Sequence, residues 1–329
     1  MRLKSARCVL SLAIILSAGF AAPGWAAITV RFAHASGTDS PLTAGAQRYA
    51  EEVARASHGE VLVHLYASDT PDIAAARLAS VQSGTFEMGA VKTLDLGGLH
   101  PAMQIYDLPY LMPNARTAYR VLDGEIGAIV ADGLQNRGLR LLAYWEHDFR
   151  QLGNSQRPVT SIEEMRDLKI GVSYTPVYER WLQGLEAVPV PVAHDKLYRA
   201  LQQRDIDGQD HGVFAMYAAR YYEVQPYYTL TNHIYMPMAI LINEAFYQSL
   251  SPAHQRILIE AARHARDYQR LQSAELRASM LNEMRQAGLK VSQLSPQAVA
   301  RFRANARPAY AAADPAVDRK LIQRTLDLN

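Results

Sequence analysis

At 329 residues, with 34 basic and 32 acidic side chains, the protein has a formal charge of only +2, which gives no basic excess for a nucleic-acid footprint. The single cysteine, Cys8, excludes an intrachain disulfide. Residues 1–7 carry Arg2, Lys4 and Arg7, an apolar run covers 9–22, and Gly24-Trp25-Ala26 places small residues three and one before a cut. That order predicts a secretory signal peptide, residues 1–26, cleaved after Ala26; the run is short for a spanning helix. Cleavage removes Cys8 and three cations, so the formal charge falls from +2 to −1 and no thiol remains, which suits an oxidising compartment. The rest holds no second apolar run long enough to cross a bilayer and is longer than one hydrophobic core ordinarily supports. Two soluble lobes are expected.

Short apolar segments at 28–33, 61–66, 86–91 and 139–145 alternate with helical patterns at 42–56 and 73–82, which predicts an α/β fold. Ser40-Pro41 is a helix start, serine as the cap and proline at the first helical position. Ser161-Ile162-Glu163-Glu164 reads as a capping box opening a helix before a strand at 168–172. Residues 252–287, opened by Ser251-Pro252 and closed by Gly288, carry a helical apolar pattern that would reach roughly 50 Å. The pattern admits one helix, or two broken near Ala274.

Three strings carry the functional signal: Phe149-Arg150-Gln151-Leu152-Gly153-Asn154-Ser155, Leu168-Lys169-Ile170-Gly171-Val172, and Asp207-Gly208-Gln209-Asp210-His211-Gly212. In this order, with Asp107-Leu108-Pro109-Tyr110-Leu111 before them and Leu250-Ser251-Pro252 after, the sequence resembles the DctP-like solute receptors of tripartite ATP-independent periplasmic (TRAP) transporters. That family commonly reads FRQxTNS, LKIRV and DGQENP. The resemblance spans essentially the whole mature protein. It implies a two-lobed periplasmic binding protein with a central ligand cleft, a long helix bracing both lobes, and two crossings of the backbone between them. Lobe I would comprise 27–147 and 236–274, and lobe II 148–235 and 275–329. It also implies capture of a small solute, most simply an organic acid, for delivery to separate TRAP permease subunits.

Arg150 ends an apolar segment in a charged one, and its planar donors suit a carboxylate; the alternative is an ion pair with Asp148 or Glu146. The family's principal carboxylate clamp is an arginine where this protein has Gly171. Lys92 could replace that charge, or instead pair with Asp95 or face solvent. Gly171 could equally make room for a bulkier solute lying against Tyr174, Phe214 or Trp145. Asp210 and His211 replace the family's glutamate and asparagine, and His211 falls on its ligand-contacting position; the plainer reading is a histidine satisfied by Asp207 or Asp210. His34, Asp72, His194 and Tyr235 complete the candidate pocket by their place in the family order.

No nucleophile elbow, HExxH helix, P-loop or GxGxxG turn occurs, and no cysteine nucleophile survives processing, so no enzyme activity, cofactor or metal is expected. A hydrolase built on Asp207, Asp210 and His211, a receptor for a non-carboxylate solute, and a component presenting its ligand to a membrane sensor remain the competing readings. A monomer is the default state.

Overall fold

The computed structural model describes residues 27–35, 40–67, 73–172 and 175–329, with the side chains of 73 and 74 left out. The expected signal peptide, Asp72 and Tyr174 lie outside the described residues. The strands are β1 (Ile28–His34), β2 (Val61–Ala67), β3 (Met88–Lys92), β4 (Leu139–Asn154), β5 (Lys169–Val172), β6 (Val188–Pro191), β7 (Gly208–Gln209), β8 (Tyr227–Asn243) and β9 (Lys290–Gln293). They form one mixed sheet in the order β2-β1-β3-β8-β4-β7-β5-β6, with β9 also on β8. The parallel sets β2-β1-β3 and β7-β5-β6 flank a long antiparallel pair, β4 and β8, that runs through the whole molecule. Their register runs from Leu139 opposite Asn243 to Asn154 opposite Tyr227.

The sequence pattern ends this strand at residue 145, but β4 continues nine residues further, to Asn154. Polar residues from Glu146 onward break the apolar run, and the fold satisfies them internally, so they remain buried in a strand. The β4/β8 register shifts between Glu146 and Asp148, leaving His147 as the extra residue of a bulge. Pro237 lies opposite Glu146 and has no N–H to offer the ladder, which suits an interruption at this point.

The helix starts follow local chemistry. Ser40 Oγ accepts from Thr43 N–H at 3.1 Å to cap the helix Pro41–Ala56, and Ser251 Oγ accepts from His254 N–H at 3.2 Å to cap Pro252–Gln286. The latter is a single 35-residue helix without a break at Ala274. The capping-box motif opens only a 3₁₀ turn, Glu163–Met165: Glu164 accepts from Ser161 N–H at 2.9 Å, but no serine side-chain cap forms. The core divides into three clusters. One lies around Phe32, Tyr49, Trp145 and Leu258, one around Leu197, Ile206, Tyr228 and Met284, and the largest joins Tyr106, Tyr144, Phe149, Trp181 and Phe302.

The long helix fastens to the middle of β4 repeatedly. Trp145 Nε1–H donates to Ala262 O at 3.0 Å, and Gln269 takes Glu146 N–H at 3.0 Å and donates to Glu146 O at 2.8 Å. Arg277 donates to Asp148 Oδ1 at 3.0 Å and forms a second ion pair with Glu146. The brace is therefore directed at the segment where the bulge sits.

Candidate functional site

Arg150 projects from β4 just beyond the bulge, and only 4% of it is exposed. Its Nε and Nη2 donate to the two oxygens of Asp210, at 3.0 and 2.5 Å, in a fork-to-carboxylate arrangement. Nη1 approaches only the Met236 sulfur, at 3.5 Å, and the guanidinium lies 4.9 Å above the Tyr178 ring. Burial opposes ionisation of Asp210, but Arg150 and His233 override it and hold the carboxyl below the usual range. The arginine is thus oriented and already charge-compensated by the protein.

Asp210 has a second neighbour that no sequence motif marked. His233 Nε2 lies 3.6 Å from Asp210 Oδ2, its Nδ1 is 2.7 Å from Thr231 Oγ1, and its ring stacks on Trp181 at 4.7 Å. Desolvation keeps this imidazole neutral, with its pKa below the ordinary value.

Around Arg150 the fold gathers Lys92, at the end of β3, with His147, His194 and His211. Burial lowers the Lys92 pKa, Asp95 opposes that shift, and Arg150 and Arg77 add to it. Among the described residues no carboxylate lies within ion-pair distance of this ammonium, and Asp95 acts on it only through space. His147 is neutral because of burial, reinforced by Lys92, Arg150 and His211. Burial and Arg150 together push His211 down to about 3. His194 stands edge-on to His211 at 5.6 Å, and its own pKa is lowered by burial and by Lys92.

The His211 tautomer is set by a neighbour. Its backbone N–H and its Nδ1–H both donate to Gln209 Oε1, at 2.5 and 3.0 Å, while Gln209 Nε2 donates to Gln225. Gln209, and neither Asp207 nor Asp210, satisfies this histidine. Its Nε2 is left as an acceptor, which calls for a hydroxyl or amine donor and not a carboxylate.

The other expected residues have the following surroundings. The room that a missing side chain at 171 was expected to leave is filled: a Cβ there would lie 2.6 Å from Ile206 Cδ1 and 3.0 Å from Leu197 Cδ1. Trp145 is fully buried in the core with its N–H spent on Ala262. Tyr235 is buried too, its Oη–H donating to Glu146 at 3.3 Å. Phe214 lies under the Arg277 guanidinium at 5.5 Å, and its backbone N–H donates to Asp148. His34 is buried and meets Phe32 edge-on at 5.9 Å. Asp207 is structural, accepting from Lys169 N–H and Gln156 Nε2–H, each at 2.9 Å.

Sequence reasoning missed His147, Asp107 and His233. Regular strand alternation places His147 on the face opposite Arg150, and only the bulge brings the two together. Asp107 lies in a quoted string, but only the tertiary fold sets its buried carboxyl beside Arg150, with Tyr178, around a narrow crevice. Among the described residues no group of three or more His, Asp or Glu side chains is arranged to hold a metal ion.

Two α/β lobes sharing one long strand pair, braced by a helix and converging basic and imidazole side chains on the cleft between them, define a solute receptor. Residues 32–315 match the model of the bacterial extracellular solute-binding proteins, family 7 (DctP), and the protein belongs to that family as a TRAP-type receptor. It is 32% identical over 292 residues to the 2,3-diketo-L-gulonate-binding periplasmic protein YiaO of Escherichia coli K12, covering 88% of each sequence. A TRAP periplasmic solute-binding protein from Ochrobactrum anthropi, with its C-terminus bound in the ligand-binding pocket, superposes with a TM-score of 0.87 at 31% identity, over 92% of this protein and 94% of that one. The sugar-acid-binding protein DctPAm of Advenella mimigardefordensis, in complex with galactonate, gives 0.81 at 28% identity, over 92% and 97%.

Proposed function

We propose that this protein is exported through its N-terminal signal peptide, captures a monoanionic, polyhydroxylated acid in the periplasm without chemical turnover, and passes it to TRAP permease subunits. The lobes divide within the central bulges, near residues 147 and 235, and the long helix spans the division. The carrying observation is Lys92, an ammonium in the cleft with no hydrogen-bonded acid among the described residues. A half-buried charge of this kind is stabilised when a counter-ion arrives.

Charge counting narrows the ligand. Asp210 already neutralises Arg150, so one carboxylate satisfies Lys92, and a second would enter without a counter-charge. His147, His194 and His211 are held largely neutral and offer hydrogen bonds suited to hydroxyls. The sugar acids named for the Escherichia coli and Advenella relatives have this constitution, and the C-terminus that occupies the pocket of the Ochrobactrum protein also presents one terminal carboxylate.

The test is a thermal-shift and calorimetric comparison of D-galactonate, 2,3-diketo-L-gulonate, succinate and galactitol on the wild type and Lys92→Met. A ligand at a hundred times its Kd stabilises the folded state by about 2.7 kcal/mol. The sugar acids should do so and lose about 30-fold in affinity in Lys92→Met, equivalent to roughly 2 kcal/mol. Equal binding of galactitol, or full affinity in the variant, overturns the proposal.

A further inference from the structure

Asp107 closes the 3₁₀ turn Pro101–Asp107 and is 6% exposed, yet among the described residues its carboxyl receives no hydrogen bond and forms no ion pair. Two other polar groups on the same crevice are also unfulfilled. Tyr178 Oη is buried close to Asp210 but makes no hydrogen bond of acceptable geometry. Arg150 Nη1 has only the weakly accepting sulfur of Met236, because Nε and Nη2 are committed to Asp210. A buried polar group without a partner costs free energy, and an unpaired hydroxyl beside a guanidinium N–H held only by sulfur and a carboxyl without a hydrogen bond, all on one crevice, call for a common explanation.

The chemistry of the three groups selects what can satisfy them. Arg150 Nη1 only donates, Tyr178 Oη donates or accepts, and Asp107 accepts when ionised and donates when protonated. A carboxylate would set a second negative charge against Asp107. A cation would meet Arg150, and an apolar group would leave all three unpaired. A hydroxyl accepts from Arg150 or Tyr178 through its oxygen and donates its hydrogen to Asp107. Building on the sugar-acid reading, we propose that Asp107, Tyr178 and Arg150 Nη1 form a hydroxyl subsite, which selects acids bearing a hydroxyl that reaches this crevice while the carboxylate lies at Lys92. The crevice is narrow, so the hydroxyl enters while the lobes are apart and is enclosed as they close. Burial holds the Asp107 carboxyl up to about 7, against Arg150 and with help from Asp95 on the neighbouring turn. Arg150, Asp95 and Tyr178 are the charged or titratable groups facing it.

The experiment is calorimetry at pH 8 on protein purified from the periplasm, with D-galactonate and its singly deoxygenated counterparts. The wild type should bind at least one deoxygenated acid 10-fold or more weakly than galactonate, since sites built to hydrogen-bond a hydroxyl reject ligands lacking it. Asp107→Ala should compress that ratio below 3-fold, and Asp107→Asn, which keeps an oxygen acceptor, should retain most of it. Tyr178→Phe preserves the ring beneath Arg150 and should reduce the ratio in part. Removing an unpaired buried carboxyl leaves the fold intact, so Asp107→Ala should melt at or above the wild-type temperature. An unchanged ratio in Asp107→Ala, or a wild type indifferent to every deoxygenation, overturns the subsite while the function stands. Binding of galactitol and no acid overturns the function instead, and galactitol with its deoxygenated counterparts then decides the subsite by the same ratios.

Discussion

Arg277→Met tests whether the long helix stabilises the crossing between the lobes. Arg277 ion-pairs with both Glu146 and Asp148, each about 2% exposed, while its own side chain is 21% exposed. Removing one partner of a buried ion pair typically costs about 3–5 kcal/mol, because the other charge stays buried. Part of that is recovered here: Glu146 keeps hydrogen bonds from Tyr119 at 2.8 Å and Tyr235 at 3.3 Å, and Asp148 keeps those from the Phe149 and Phe214 amides at 2.8 and 3.0 Å. The expected loss is about 3 kcal/mol, which for a protein of this size, with an unfolding entropy near 0.6 kcal/mol/K, lowers Tm by about 5 °C. The loss has a pH signature. Burial already raises the Asp148 pKa, with Arg277 opposing, and removing the guanidinium raises it further. A carboxyl whose folded pKa exceeds its unfolded value favours folding at low pH, and that contribution is lost as pH rises through the folded pKa. The deficit should therefore be largest near pH 8 and shrink toward pH 4.5. Scanning calorimetry across that range would refute the reasoning if Tm fell by under 1 °C, or if the deficit stayed constant on acidification.

Gly212→Ala would put a Cβ 2.4 Å from Asp148 Oδ2, an overpacking worth about 1–3 kcal/mol, read as a lower denaturant midpoint with an unchanged m-value. Ser251→Ala removes the cap of the long helix, and urea titration should show a loss of about 1 kcal/mol. Asp107, with its carboxyl raised to about 7, contributes stability below its unfolded pKa that disappears as pH rises through 7. Asp107→Asn lacks this contribution, so its stability relative to wild type should improve between pH 4 and 8; a constant difference in Tm over that range would contradict the assignment.

The parts of the fold legible in the sequence were those governed by local chemistry. Ser40-Pro41 and Ser251-Pro252 carry their caps beside them, and the alternating apolar segments marked β1 to β3 because one or both faces are dry. The extension of β4 was hidden, since Glu146, Asp148 and Arg150 look like solvent-facing residues until Arg277 and Asp210, far along the sequence, arrive to satisfy them. Lys92, Arg150, Asp210, His194 and His211 were identified by family order, and the fold brings all five together around the cleft. Nothing local states that Asp210 binds Arg150, that Gln209 fixes His211, or that Ile206 fills the space beside Gly171. Those pairings are set by register between distant strands, and a single bulged residue reverses which face each side chain takes.

The unbroken 35-residue helix also sets how the protein can change length. Each added residue turns everything downstream by about 100° and advances it about 1.5 Å. An insertion between Ala265 and Gln269 would rotate Gln269, Arg270, Arg277 and Glu283 together, away from Glu146, Asp123, Asp148 and Tyr217 respectively. No loop lies between these contacts to absorb the error. Insertions and deletions that an exposed turn such as 58–60 absorbs are thus disfavoured across this rod, where substitution remains open.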